Sequence, residues 1–157
     1  VFNVNEETLA SEDKKQSLCN LVPHSRSLFI CAKLEDEIKG LNPSDTLELL
    51  QSYDVPEAGL TQMIRAAYDL LGLQSYLTAG PKEVRAWTIH QGWTAPQAAG
   101  VIHTDFERGF IAAQVVDYND LIAAGSEANA RAAGKIRTEG KTYVMQPGDV
   151  VEFRFNV

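Results

Sequence analysis

The chain has 157 residues, 45% of them hydrophobic, with 14 Lys+Arg against 21 Asp+Glu and a net charge of −7; that is enough for one or two small cores, and no apolar run reaches the length of a membrane-crossing helix. The acid is concentrated, since residues 1–74 hold 6 Lys+Arg against 12 Asp+Glu while residues 75–157 hold 8 against 9, which argues against a non-specific polyanion-binding surface in the first half and against specific DNA binding. Cys19 and Cys31 have no paired spacing with other cysteines or histidines, which speaks against a disulfide framework or a zinc site and fits a reducing, cytoplasmic setting.

Val1-Phe2-Asn3-Val4 is β-branched and aromatic, the composition of a buried strand. Ser27 to Ala32 is a second apolar run, and the segment Ser11 to Val22 between them predicts a helix. Strand, helix, strand is a parallel βαβ unit. Two parallel strands do not make a domain, so the expectation is a C-terminal fragment of a larger sheet. Lys33 to Ile38 predicts a helix, and Asn42-Pro43-Ser44-Asp45 has the form of a helix start: a capping amide, a proline suited to the first turn, and an acid at the positive end of the dipole. That helix runs from Thr46 to Tyr53, and another from Gly59 to Leu71 repeats Leu60, Met63, Ile64, Ala67, Leu70 and Leu71 along one apolar face before Gly72 closes it.

From Leu73 the texture changes to short strands and tight turns. Ser75–Thr78 and Glu83–Ile89 read as strands around Ala79-Gly80-Pro81, and Thr94-Ala95-Pro96 starts a helix to Ile102. Phe110–Val116, Tyr143–Met145 and Val150–Phe155 read as strands, Asp117–Ala124 and Glu127–Ala133 as short helices, and Pro147-Gly148-Asp149 as a turn. Two strands, a helix and then more strands is the order of a β-grasp fold.

Several segments suggest chemistry. Gly134 to Thr142 looks like a phosphate loop, but five residues separate its glycines and a strand follows where a helix N-terminus is needed, so it reads as a basic turn. His103, Asp105 and Glu107 lack a second cluster to complete a metal site and read as a capping segment. Trp87, Trp93 and Tyr76 have the chemistry to stack on bases, against a plainer reading as core. Lys82, Arg85, Lys135, Arg137, Lys141 and Arg154 are the basic residues available to form one face. The opening carries more: Asn3-Val4-Asn5-Glu6 directly after one strand and Cys31-Ala32-Lys33 directly after the next is the arrangement by which P-loop G domains hold a nucleotide base off the carboxyl ends of parallel strands. The plainer reading is two polar strand-to-helix caps.

Those two motifs, together with Cys31-Ala32-Lys33-Leu34-Glu35, Ile64-Arg65-Ala66-Ala67-Tyr68, Leu70-Leu71-Gly72-Leu73, Lys82 through Thr88, Ala95 through Glu107, Gly148-Asp149-Val150 and the ending Phe153-Arg154-Phe155-Asn156-Val157, closely resemble the Obg-like ATPase (YchF) family of P-loop translation-factor NTPases. The resemblance spans nearly the whole chain. It implies an α/β remnant of an OBG-type G domain over residues 1–72 and an α+β β-grasp TGS domain, of the kind shared with threonyl-tRNA synthetases and stringent-response enzymes, over 73–157. It also implies that the family's phosphate loop, magnesium ligands and helical insertion precede residue 1.

In GTPases of this class the base motif is N-K-x-D, whose Asp accepts two hydrogen bonds from guanine. Here Glu6 replaces that Asp and Val4 the Lys, so the resemblance implies a base site of Asn3, Val4, Glu6, Ala32 and Lys33, with ATP preferred over GTP. Cys31 stands where the second motif usually begins with Ser, which places a thiol in place of a hydroxyl near the base. Mg²⁺ belongs to the full-length protein only, and no catalytic residue or metal ligand is expected within these residues. The implied partner is the ribosome or its large subunit. A stand-alone β-grasp interaction module that binds no nucleotide is the alternative; its ending in Phe155-Asn156-Val157, without Gly-Gly, argues against a conjugated modifier.

Overall fold

The computed structural model describes residues 1–80 and 83–156. Pro81 of the expected turn, Lys82 of the candidate basic face and Val157 lie outside the described residues. The chain divides into two compact units, Val1–Ala67 and from Tyr68 onward.

In the first unit β1 (Phe2–Asn3) pairs in parallel with β2 (Phe29–Ile30). Between them lie α1 (Glu6–Leu9), which the periodicity did not predict, and α2 (Glu12–Cys19). Both begin on short polar side chains: Asn5 accepts from Thr8 N–H, and Ser11 accepts from Lys14 N–H. After β2 come α3 (Ala32–Glu37), α4 (Pro43–Ser52) and α5 (Gly59–Leu71). The predicted start of α4 is present, with Asn42 Oδ1 accepting Asp45 N–H at 3.0 Å, a cap worth about 0.5–2 kcal/mol. Leu9, Cys31, Leu34, Leu50 and Val55 form the unit's small buried core.

The apolar stripe of α5 is another matter. Leu60, Ile64, Leu70 and Leu71 are 52–75% exposed, so the face that periodicity marks as apolar is not the face that the small core buries.

The second unit is, among the described residues, one five-stranded sheet in the order β4-β3-β7-β5-β6. Its strands are β3 (Leu73–Ala79), β4 (Val84–His90), β5 (Phe110–Asp117), β6 (Arg137–Glu139) and β7 (Asp149–Phe155). All neighbours are antiparallel except β3 and β7. Alternation along the strands sends side chains to two faces. Val115 and Val151 join Tyr76, Ile89 and Phe110 beneath α6 (Ala95–Ile102), whose Ala95, Ala98 and Ala99 are fully buried. Their neighbours Val116 and Val150 turn the other way, towards Ala130 and Leu121 of α8 (Tyr118–Ala124) and α9 (Glu127–Ala132), which follow α7 (Thr104–Arg108). Tyr76 donates its hydroxyl hydrogen to Ala98 O at 2.9 Å and Gln74 Nε2 donates to Met145 O at 2.8 Å, so both buried side chains have hydrogen-bond partners.

Two segments differ from expectation. Arg137–Glu139, read as a basic turn, is an edge strand paired with β5; its charged side chains suit an exposed edge that must not recruit another strand. Tyr143–Met145, read as a strand, stays outside the sheet because its backbone bonds to the entry of α6: Ala95 N–H reaches Tyr143 O at 2.8 Å and Met145 N–H reaches Trp93 O at 2.9 Å. Asp149, 3% exposed, ties this loop down by accepting from Tyr143 Oη and Gln146 N, each at 2.8 Å. Burial, reinforced by that carboxylate, pushes the Tyr143 phenol up to about 12.

Gly109 joins α7 to β5 where the last strand returns, its carbonyl accepting Asn156 N–H at 2.9 Å. A Cβ there would run into the Asn156 backbone carbonyl. We expect Gly109→Ala to destabilise the chain by about 1–3 kcal/mol in urea unfolding, whereas Gly140→Ala, with open space around the site, leaves the midpoint nearly unchanged; equal midpoints for both variants contradict this.

Candidate nucleotide-base site

Parallel pairing decides where the two motifs meet. Phe2 lies beside Phe29 and Asn3 beside Ile30, held by Phe2 N–H to Leu28 O and Val4 N–H to Ile30 O, both 2.8 Å. The Phe2 and Phe29 rings stack at 5.2 Å. Because the strands run the same way they leave the sheet at the same end, and each turns almost at once into a helix, α1 starting at Glu6 and α3 at Ala32.

Asn3 reaches across that end. Its Oδ1 accepts the Ala32 N–H at 3.0 Å, a donor at the start of α3 that Cys31, in the N-cap position, leaves without a side-chain partner. The plainer reading of two helix caps therefore describes Asn5 and the oxygen of Asn3. What Asn3 has left to offer is chiefly its amide nitrogen, with two N–H donors.

Glu6 and Lys33 complete the corner. Lys33 Nζ stands 2.7 Å from Glu6 Oε1 and 3.8 Å from Glu37 Oε1. The hydrogen bond from Lys33 holds the Glu6 carboxyl below its ordinary 4.5, and Glu6 in return raises the Lys33 ammonium above its ordinary 10.5. Both groups meet water, so the pair fixes position far more than it stabilises the fold. The remaining candidate, Val4, is half-buried against the Leu9–Leu34 core. Cys31 is 2% exposed in that same core, so cysteine in place of serine alters packing and not the base contact expected for its thiol.

Glu35 is a residue that sequence reasoning did not single out. Its carboxylate accepts Gly59 N–H at 2.6 Å and Leu60 N–H at 3.3 Å, placing a negative charge at the positive end of α5. The available signal was a deficiency, since α5 starts after Ala58 with no Ser, Thr, Asp or Asn at its head. Gly59 permits the approach, because a Cβ there would stand 2.7 Å from Ile30 Cγ2.

The other candidates disperse. His103 Nδ1 accepts Asp105 N–H at 3.2 Å as a cap for α7, and among the described residues no group of three His, Cys, Asp or Glu side chains could hold a metal ion. Tyr76 is core, while Trp87 donates to Thr78 Oγ1 at 2.9 Å with the Arg85 guanidinium 4.2 Å above its ring. Arg85 on β4 and Arg137 on β6 sit at opposite edges of the sheet, so these two do not share one patch. Among the described residues no helix is long and apolar enough to cross a membrane.

A family model, YchF-GTPase_C, described as "Protein of unknown function (DUF933)", matches residues 73–156. The whole chain is 46% identical over 162 residues to the Ribosome-binding ATPase YchF of Bacillus subtilis and 48% identical over 159 residues to that of Pasteurella multocida, covering 44% of each. It is 46% identical over 144 residues to the Obg-like ATPase 1 of Gallus gallus, covering 92% of this chain and 35% of that protein. The chain thus spans less than half the length of these curated relatives and corresponds to their C-terminal part. The solved structure of the Schizosaccharomyces pombe YchF GTPase superposes with a TM-score of 0.77 at 33% identity, over 97% of this chain and 42% of that one. A GTP binding protein from Pyrococcus horikoshii shares the fold, with a TM-score of 0.60 at 19% identity over 94% of this chain and 43% of that one.

A depressed carboxyl is present as a stabilising charge above its unfolded value and loses that contribution as pH falls through the folded one. We expect the Glu6 side-chain carboxyl to titrate below 4.5 by NMR, and Lys33→Met to move the midpoint back up; a midpoint indifferent to Lys33→Met contradicts the pair.

Proposed function

We propose a function from one premise: the chain belongs to the YchF family. On our reading these residues form the base-recognition corner of a ribosome-associated, ATP-preferring P-loop NTPase, over residues 1–72, followed by a TGS interaction domain of β-grasp fold over 73–157. Asn3, Val4, Glu6, Ala32 and Lys33 make the base site. The observation that carries this is the meeting of Asn3 with Ala32 and of Glu6 with Lys33 at one end of a parallel strand pair, the place where open α/β sheets present their ligands.

The chemistry favours a purine. With Oδ1 engaged by Ala32, the Asn3 amide hydrogens suit the N7 acceptor that adenine and guanine share. Val4 keeps the floor of the corner packed and Ala32 supplies the fixed backbone beside it. Bound ATP brings the phosphoanhydride chemistry and Mg²⁺ accompanies it in the full-length protein; the residues here contribute only grip on the base. In NTPases of this class most triphosphate affinity comes from loop amides, a lysine and the metal, none of which these residues provide.

The second unit suits an interaction role. Its strand order, with α6 on one face, supports the β-grasp reading, and the names of the bacterial relatives, ribosome-binding ATPases, support the ribosome or its large subunit as the partner and the cytoplasm as the location.

Two outcomes follow from this reading. Calorimetric titration of the 157-residue chain with ATP gives a Kd no tighter than about 1 mM and no phosphate release; micromolar binding contradicts it. In sedimentation with purified ribosomes the chain enters the pellet and leaves it as salt rises, as for a contact with a phosphate backbone; a chain that stays in the supernatant at low salt contradicts the partner.

A further inference from the structure

We propose that Lys33 sets the choice of base, by holding Glu6 so that the corner offers a donor where a free carboxylate would offer an acceptor. The inference rests on the base-site reading above and goes further by assigning its selectivity to one ion pair.

The two purines differ along one edge. Guanine presents N1–H and a 2-amino group, both donors, whereas adenine presents N1 as an acceptor beside its 6-amino donor. A glutamate at the end of β1 is one methylene longer than the aspartate of GTPases, yet if free it still has two oxygens that can turn to accept from guanine's donors. Glu6 is not free: one oxygen takes the Lys33 ammonium at 2.7 Å, from a residue 27 positions away that opens the neighbouring helix. To serve guanine the carboxylate has to give up that ammonium or share itself with it, and the three N–H donors of the ammonium then face two more donors. Unmatched donors in a contact cost more than matched ones gain, so rejection is the stronger effect. Adenine's N1 has the opposite polarity and suits an ammonium hydrogen. Glu37, 3.8 Å from Lys33, is a weaker second anchor that keeps the ammonium in this corner.

Asn3 carries less of this distinction, because its oxygen already accepts Ala32 N–H and its amide hydrogens match N7 of either purine. Of the polar side chains gathered at the two strand ends, the Glu6–Lys33 pair is the one whose state changes the sign of the hydrogen bond on offer. This chain's relatives include proteins named as ATPases and one named as a GTPase.

The test titrates AMP and GMP separately into the ¹⁵N-labelled chain and follows the backbone amides of Asn3, Val4, Ala32 and Lys33. AMP binds more tightly than GMP to the unaltered chain. In Lys33→Met the ratio of AMP to GMP affinity falls about fivefold, the worth of one exposed ion pair at the upper end of its range, and adding Glu6→Gln removes the gain for GMP. A dispersed spectrum checks folding of each variant. If Lys33→Met weakens both nucleotides equally, or if the gain for GMP survives Glu6→Gln, the pair is a structural brace and this inference is wrong while the base site stands. If neither nucleotide moves these amides in any variant, the base-site reading falls and takes the inference with it.

Discussion

The register of two short strands governs the first half of this chain. Pairing Phe2 with Phe29 and Asn3 with Ile30 puts the polar residues that follow each strand at the same end of the sheet, and the parallel sense lets both chains turn into helices there. Asn3 then falls within reach of the Ala32 amide, and Glu6 within reach of Lys33. A slip of one residue would turn Asn3 to the other face and bury it where Phe2 or Val4 belongs. The stacked phenylalanines and the Val4 packing hold the register, so apolar residues fix the geometry of a polar corner.

Glu35 extends that corner into the rest of the unit. By capping α5 from α3 it couples the second motif to a helix 24 residues further on, with Gly59 allowing the contact. The charges at this end thus divide their roles: Glu35 serves the fold, Lys33 and Glu6 hold each other in water, and Asn3 does both by giving its oxygen inward and keeping its amide hydrogens. In the second unit the division is cleaner. Ala95, Ala98 and Ala99 bring α6 close to the sheet, Val115 and Val151 meet it, and Asp149 satisfies the loop that seals its entry.

Local signals in the sequence led reliably to local structure. Asn42-Pro43 opens α4, Thr94 with Gln97 opens α6 (Thr94 N–H to Gln97 Oε1, 2.8 Å), and the alternating run Glu83–Ile89 falls in β4, which pairs with β3 in continuous register. What stayed hidden were pairings between distant residues. The resemblance implies that Glu6 and Lys33 share one site, but nothing near Glu6 announces their ion pair, and nothing near Gly59 announces Glu35. Arg137–Glu139 looked like a turn because an edge strand is chosen for charge as much as for β-propensity. Tyr143–Met145 looked like a strand because its residues are apolar and β-forming, yet its hydrogen bonds go to a helix entry. The stripe on α5 was legible as apolar but not as exposed, since periodicity reports which face is apolar and not what covers it.

The central claim is that a purine ring sits between Asn3 and Lys33 at the carboxyl ends of β1 and β2. Crystals of the chain grown with AMP at millimolar concentration test it most directly. The account predicts an adenine ring at those strand ends with the Asn3 amide within hydrogen-bond distance of N7; an adenine ordered on any other surface, with this corner unchanged and bare, contradicts it.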